Sequence, residues 1–437
     1  MAGLSCCYRA SMRRTPLLTL GLFTLLAPAC VTQQDSADGG VDAGSDVASD
    51  TGSDAAIDST PTDGGTDTSP PTDGGGGGPE VKSLSAGSEM TCAALADGTV
   101  RCWGRNNVGQ LGNGAKTFDP VGRPVQVTGL TDAIAVSAGV EYACALRAGG
   151  TVVCWGGNAL GVLGNGTATD SLTPTPVTGL TGVKEIAAGF SATCALKTDG
   201  TVWCWGRGGD YGTTSLTQSN VPVQVTGLAN VQHLANANEG GTSFTSLVCA
   251  LLADKTVQCF SNYNGSGQLG NGTKDSSRTP APVSGIGDAS AIMASLLHAC
   301  AVRADGTWCW GASQLVGDGS VENRLLPVKV SPTLFAELSS GFEHTCARET
   351  GGAVWCWGSN NRGQSGDGAT IKVSDYRLSP AKSNVTDAVL LSAGMFHNCV
   401  HTKTKRTLCW GANNFGELGW GTPSSSERTS VPTEVIW

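Results

Sequence analysis

The feature that most constrains this chain is a pair of cysteines that recurs seven times at nearly constant spacing. The pairs are Cys92 with Cys102, Cys144 with Cys154, Cys194 with Cys204, Cys249 with Cys259, Cys300 with Cys309, Cys346 with Cys356, and Cys399 with Cys409. The first cysteines follow one another at intervals of 52, 50, 55, 51, 46 and 53 residues. A period of that length marks an array of one small supersecondary unit, each copy burying its apolar face against its neighbours. Residues 81–437 hold all seven units.

Each unit reads alike. A short apolar strand ending in Ala-Gly, such as Val81 to Gly87, leads into a Cys-Ala-Leu strand. A tight turn then gives Thr-Val-x-Cys-Trp-Gly, followed by a Gly-rich loop such as Asn106 to Gly114 and a Pro-flanked strand such as Pro124 to Val127. Four short strands per unit suit an all-β propeller, whose ring closure limits open sheet edges. Composition agrees: 62 of 437 residues are Gly without a collagen period, and only 14% are charged. No apolar run reaches the ~18–20 residues of a membrane span. Collagen and polytopic membrane proteins are thereby excluded, and long amphipathic helices are disfavoured.

The run from Leu95 to Gly112 carries Asp97-Gly98, Val100, Trp103-Gly104, Asn106 and Gly109-Gln110-Leu111-Gly112, and the other six units repeat it with drift. This pattern closely resembles the regulator of chromosome condensation repeat family over the whole of 81–437. The resemblance implies a seven-bladed β-propeller. Two departures stand out: the third unit has Gly208-Gly209-Asp210-Tyr211-Gly212 in place of the Gly-Gln-Leu-Gly loop, and the fourth has Phe260 where the others have Trp. The family includes a nucleotide-exchange factor for a nuclear GTPase; nothing in this chain marks that interaction surface, and this is the lowest-ranked alternative.

Taking Ala96-Asp97-Gly98 as a three-residue loop, a type I turn followed by a left-handed Gly, pairs Leu95 with Thr99 and sets Cys92 opposite Cys102. Directly opposed Cβ atoms are close enough for a disulfide, and the same holds for the other regular units. The pair of Cys300 and Cys309 is one residue shorter, because the Val before the Trp is missing. That unit must shorten its turn to two residues or form a bulge, so a distorted hairpin and the most readily reduced pair are expected there. Metal binding is the weaker reading. The Cys spacing is not that of zinc sites. His298, His344 and His397 precede the first Cys by two, yet Met90, Tyr142 and Ala192 hold that position elsewhere. No metal and no cofactor are expected. Trp103, Trp155, Trp205, Trp310, Trp357 and Trp410 share one repeated position and are read as blade-to-blade core.

Residues 1–29 read as a signal peptide. Arg13 and Arg14 precede a Leu-rich stretch and Ala27-Pro28-Ala29, with Met12 as a second possible start. Cys30 immediately after Ala29 resembles a bacterial lipoprotein signal, which implies lipidation of Cys30 and, with Val31 following, an outer-membrane lipoprotein. Ordinary cleavage and an extracellular protein is the alternative. Membrane attachment would be through the lipid alone. Residues 30–80 form an acidic Asp/Gly/Ser/Thr/Pro-rich tether: 31–80 carry net charge −11, and 31–79 have no aromatic residue. Such a segment cannot offset its ordering entropy. Residues 81–437 carry a net charge of only −1, which gives nucleic-acid binding no support.

No Gly-x-Ser-x-Gly elbow and no His-Glu-x-x-His occur. The sequence therefore points to a non-catalytic, exported, monomeric propeller that presents a rigid surface to a protein partner at the cell envelope. The competing reading is an extracellular polysaccharide binder or hydrolase. Residues that break the repeat are the candidate contacts: Asp210, Tyr211, Asn236, Asn238 and Phe244. Clustered carboxylates on one face would favour a hydrolase, and a broad apolar and aromatic patch a protein binder.

Overall fold

The structure is a computed structural model that describes residues 78–207, 218–237, 247–421 and 427–437. Twenty-eight strands among the described residues form seven antiparallel sheets, each made of four consecutive strands in chain order. Blade 1 consists of β1 (Val81–Ala86), β2 (Met90–Leu95), β3 (Val100–Asn106) and β4 (Thr117–Gln126). The first strands of successive blades lie side by side, and that of blade 7, Ala388–Ala393, returns to β1. The sheets close into a seven-bladed all-β propeller, as the repeat predicts.

The hairpin geometry is the one the turn sequence dictates. Gly98 has φ +83°, the Leu95 N–H donates to the Thr99 carbonyl at 2.9 Å, and Cys92 lies opposite Cys102. The other regular blades repeat that register. Cys144 faces Cys154, Cys194 faces Cys204, Cys249 faces Cys259, Cys346 faces Cys356, and Cys399 faces Cys409. Every pair is joined as a disulfide, with sulfur atoms 2.04–2.13 Å apart.

Blade 5 corrects one expectation. Arg303 pairs with Gly306 across a two-residue turn, so Cys300 still faces Cys309 and the hairpin ladder is unbroken. The missing residue shows up one strand further out. The third strand of blade 5 slips against the fourth between Thr307 and Trp308, an irregularity additional to the one after the cysteine that every blade shares.

Blades meet through the repeated Trp. All six are at most 1% exposed. Each lies beneath a glycine of the preceding blade's loop: a side chain at Gly112 would run into Trp155, and one at Gly270 into Trp310. In five of the six the loop also accepts the indole N–H, as Trp155 to the Gln110 carbonyl at 3.0 Å and Trp103 to the Glu417 carbonyl at 2.9 Å; the Trp357 N–H has no such acceptor. The two departures seen in sequence are thereby related. Phe260 occupies the Trp position next to blade 3, whose loop lacks the repeated motif, and a phenyl ring needs no acceptor.

A second set of contacts links the residue two before the first cysteine of one blade to the residue one before it in the next. Four interfaces are polar on both sides: Tyr142 with Thr193 at 2.8 Å, His298 with Thr345 at 2.6 Å, His344 with Asn398 at 2.9 Å and His397 with Thr91 at 2.8 Å. The other three are apolar on both sides: Met90 with Ala143, Ala192 with Val248 and Leu247 with Ala299, all buried. No interface mixes the two kinds, which would strand a buried polar group at a cost of about 1–3 kcal/mol. Burial lowers His298 to about 3, His344 to about 4 and His397 to about 3, so all three are neutral, each hydrogen-bonded through Nε2 to the neighbouring blade. Around the axis, serines of the first strands accept backbone N–H groups of the next blade: Ser85 from Ala138, Ser137 from Ala188, Ser339 from Ala393. Ser392 closes the ring by accepting from Ala86 at 2.8 Å.

Candidate functional site

The two ends of the ring differ because two kinds of connection emerge there. One end carries the tight hairpins between second and third strands. The other carries the turns between first and second strands and the long loops after the third, and this loop face is the candidate site.

Its turns start at Gly87, Gly139, Gly189, Gly341 and Gly394. A side chain at any of these would meet a backbone carbonyl of the next blade, which explains the Ala-Gly motif in these five blades; blades 4 and 5 carry Ala237 and Ser295 at that position. Backbone bonds then join turn to turn, Phe342 N–H to Met395, Met395 to Gly87, Ser88 to Gly139 and Phe190 to Ala237, at 3.1–3.2 Å. The described long loops of blades 1, 2, 4 and 7 are equally fixed. The Asn106 side-chain oxygen accepts the Leu111 N–H at 3.1 Å, and Asn158, Asn264 and Asn413 repeat the bond. The surface is thus held in place before any partner arrives, which lowers the ordering cost of binding.

Apolar side chains follow four of the five turn glycines, as Val140, Phe190, Phe342 and Met395-Phe396, whereas Ser88 and Glu89 follow Gly87. Between blades 1, 2 and 3, Val108, Val140, Leu160, Val162 and Phe190 line an open cavity of about 510 Å³, with Glu141 and Asp170 among its other lining residues. Across blades 6, 7 and 1, Phe342 meets Phe396 edge-on at 6.1 Å. The Arg362 guanidinium lies 5.3 Å over the Phe396 ring and that of Arg105 lies 5.2 Å over Phe415; Arg105 also pairs with Glu89. Such rings and guanidinium groups are the residue types enriched at protein interfaces. Burial raises the carboxyl of Glu343, and burial with the nearby Glu89 charge raises Glu417 to about 8.

At the hairpin-side mouth of the axis a cavity of about 480 Å³ is lined by Glu185, His233, Glu337 and Arg348 among others. Both carboxylates are engaged. Glu185 accepts the Leu234 N–H at 3.2 Å and lies 3.5 Å from His233, and Glu337 accepts from Arg348 at 2.8 Å. Among the described residues no cluster of His, Cys, Asp or Glu is arranged to hold a metal.

The sequence-nominated residues fall into three groups. The paired cysteines are all buried inside the blades: Cys102, Cys154, Cys204, Cys259, Cys309, Cys356 and Cys409 sit on third strands, each tied to its partner on the second. They staple hairpins and offer nothing to a ligand on either face. Asp210, Tyr211, Asn238 and Phe244 lie outside the described residues, as does Cys30. Asn236 ends the first strand of blade 4, and its amide donates to the carbonyls of Ala187 and Ala192 at 3.1 Å each, tying blade 4 to blade 3. The arc of Val140, Phe190, Phe342 and Phe396 was not nominated from sequence. Its signal was present, since these apolar residues sit directly after or one beyond the turn glycine.

Two family models described as the regulator of chromosome condensation (RCC1) repeat match the chain, one at residues 81–110, 133–162, 183–213 and 335–364, the other at 97–146 and 149–196. The chain is similar to the ultraviolet-B receptor UVR8 of Arabidopsis thaliana, 29% identical over 78% of this chain and 79% of that protein. It is also similar to the human E3 ubiquitin-protein ligase HERC2, 24% identical over 80% of this chain but only 6% of that protein. In fold it matches Prp20p of Saccharomyces cerevisiae, whose structure was described together with its binding to Gsp1p and histones (TM-score 0.66, 20% identity, 81% of this chain and 87% of that one). Human WBSCR16 matches likewise (TM-score 0.66, 21% identity, 74% and 88%).

Proposed function

Because this chain is a seven-bladed propeller of regulator of chromosome condensation (RCC1) repeats, we propose that it is a non-catalytic scaffold that binds a protein partner through its loop face. The observation that carries this is the preformed arc of apolar and aromatic side chains, flanked by guanidinium groups, around that mouth of the axis. Protein partners in relatives, such as the Gsp1p and histones named for Prp20p, support the class of ligand and not its identity. The carboxylates at the opposite mouth, Glu185 and Glu337, are held by their own neighbours, which supports the binding reading over the hydrolase one. The protein acts outside the cytoplasm, tethered through lipidated Cys30 and residues 31–80. Seven opposed cysteine pairs suit an oxidising compartment.

The test is capture from solubilised cell envelope with the whole protein and two variants, Phe342→Glu on the loop face and Lys255→Glu on a hairpin. A defined protein should be retained by the wild type and Lys255→Glu and lost with Phe342→Glu. Retention by all three alike, or by none, contradicts the proposal.

A further inference from the structure

We propose that the cavity between blades 1, 2 and 3 receives one bulky apolar or aromatic side chain of the partner, whose neighbouring residue is Lys or Arg. This deepens the reading above and rests on it. Three properties of the cavity lead to it.

The first is shape. At about 510 Å³ it exceeds one aromatic side chain, and it opens onto the loop face between exposed Glu141 and Ala159. It therefore suits a side chain projecting from a surface laid over the face.

The second is that its interior polar atoms are already used. The Tyr142 hydroxyl donates to the Ala192 carbonyl at 3.2 Å and accepts from Thr193 and from the Gly189 N–H. The Asn158 side chain accepts the Leu163 N–H and donates to the carbonyls of Thr167 and Thr169. A polar small molecule would find nothing inside to orient it, whereas an apolar plug leaves every one of these bonds intact.

The third is charge. The Glu141 carboxylate is exposed and has no partner among the described residues, and Asp170 has only Lys116, 3.7 Å away, as a cationic neighbour. Two carboxylates at an apolar opening favour a cation beside the plug and disfavour an acidic segment, through steering as well as contact.

The test is selection of a phage-displayed random peptide library against the immobilised full-length protein, followed by titration of the synthesised winners. Winners should place Trp, Phe or Leu next to Lys or Arg. Their affinity should drop about tenfold or more with Val140→Arg and fall with Phe190→Ala, which enlarges the cavity instead of filling it. It should be unchanged with Lys255→Glu, and Glu141→Gln should reduce its salt dependence. Retained cooperative thermal unfolding of each variant separates lost binding from lost fold. Winners without the apolar–basic pair, or binding indifferent to both Val140→Arg and Phe190→Ala, overturn the proposal. If such winners are instead lost with Phe342→Glu, only the cavity assignment falls and the loop face stands. If no peptide binds the loop face, both fall.

Discussion

The loop face and the hairpin face are built by the same seven repeats, yet their chemistry is opposite. On the hairpin face Asp97, Asp199 and Asp254 each accept both the N–H and the hydroxyl of the Thr two residues on. Those bonds hold the carboxyls below their ordinary value while leaving them in solvent. Charges there are matched locally, as in Arg147–Asp132 at 2.8 Å and Arg303–Asp288 at 2.6 Å. On the loop side burial raises the carboxyls of Glu343 and Glu417, five of the six repeated indoles donate to loop carbonyls, and apolar and aromatic side chains stand beside a few charged groups such as Glu141 and Arg362. A tight turn satisfies itself with local side-chain bonds. A long loop must be anchored to the next blade, and once anchored it leaves its outward residues free for a partner.

Deleting an anchor should separate the faces most strongly. Trp155→Ala removes a fully buried indole from beneath Gly112 and the Gln110 carbonyl, and should cost roughly 3–5 kcal/mol in denaturant unfolding. A loss below about 1 kcal/mol would show that the loops do not depend on the Trp layer.

A pH experiment sharpens the contrast at the ring closure. Glu417 stands where blades 1, 4 and 6 have Gln110, Gln268 and Gln364. Gln110 donates to Asn107, whereas the corresponding Asn414 oxygen has no partner. A neutral Glu417 carboxyl fits the Gln role. Its folded-state pKa of about 8 lies above the ordinary 4.5, so its contribution is complete below pH 4.5 and lost as pH rises towards 8. Glu417→Gln should therefore raise stability above pH 8 by roughly 1–3 kcal/mol and change it little at about pH 4. A gain equal at both pH values would contradict the assignment.

Most of the fold was legible because the repeat reports directly on neighbours. Ala96-Asp97-Gly98 dictates the hairpin register, and the shared Trp position dictates the core. The same register argument carries from Cys102 to Cys154, Cys204, Cys259, Cys356 and Cys409, because each of those blades keeps the three-residue turn. The blade-5 distortion was misplaced, because register within one hairpin says nothing of the fourth strand, where Thr307 and Trp308 absorb the missing residue. The loop face was hidden for a related reason. Residues that break the repeat drew attention, whereas Phe342 and Phe396 occupy ordinary turn positions and become a patch only when the ring brings blades 6, 7 and 1 together. The pairing of His397 with Thr91 spans 306 residues and depends on closure of the ring.

Two smaller effects belong to the hairpin side. Asp97→Ala loses the bonds to Thr99, and its exposure should confine the change to a slight drop in melting temperature that vanishes when measured below the Asp97 pKa; a drop as large as that of Trp155→Ala would erase the distinction between faces. Stepwise reduction with mass-spectrometric mapping should find the pair of Cys300 and Cys309 as persistent as that of Cys92 and Cys102, since both are directly opposed and buried. Early loss of the blade-5 pair would show that its shortened turn is strained after all.

Hydrogen–deuterium exchange of the protein with and without its captured partner addresses the loop face most directly. Binding should slow exchange at the turns that follow Gly87, Gly139, Gly189, Gly341 and Gly394 and leave the hairpins at Asp97, Asp199 and Asp254 unchanged. Protection centred on those hairpins, with the turns exchanging as in the free protein, would contradict the account.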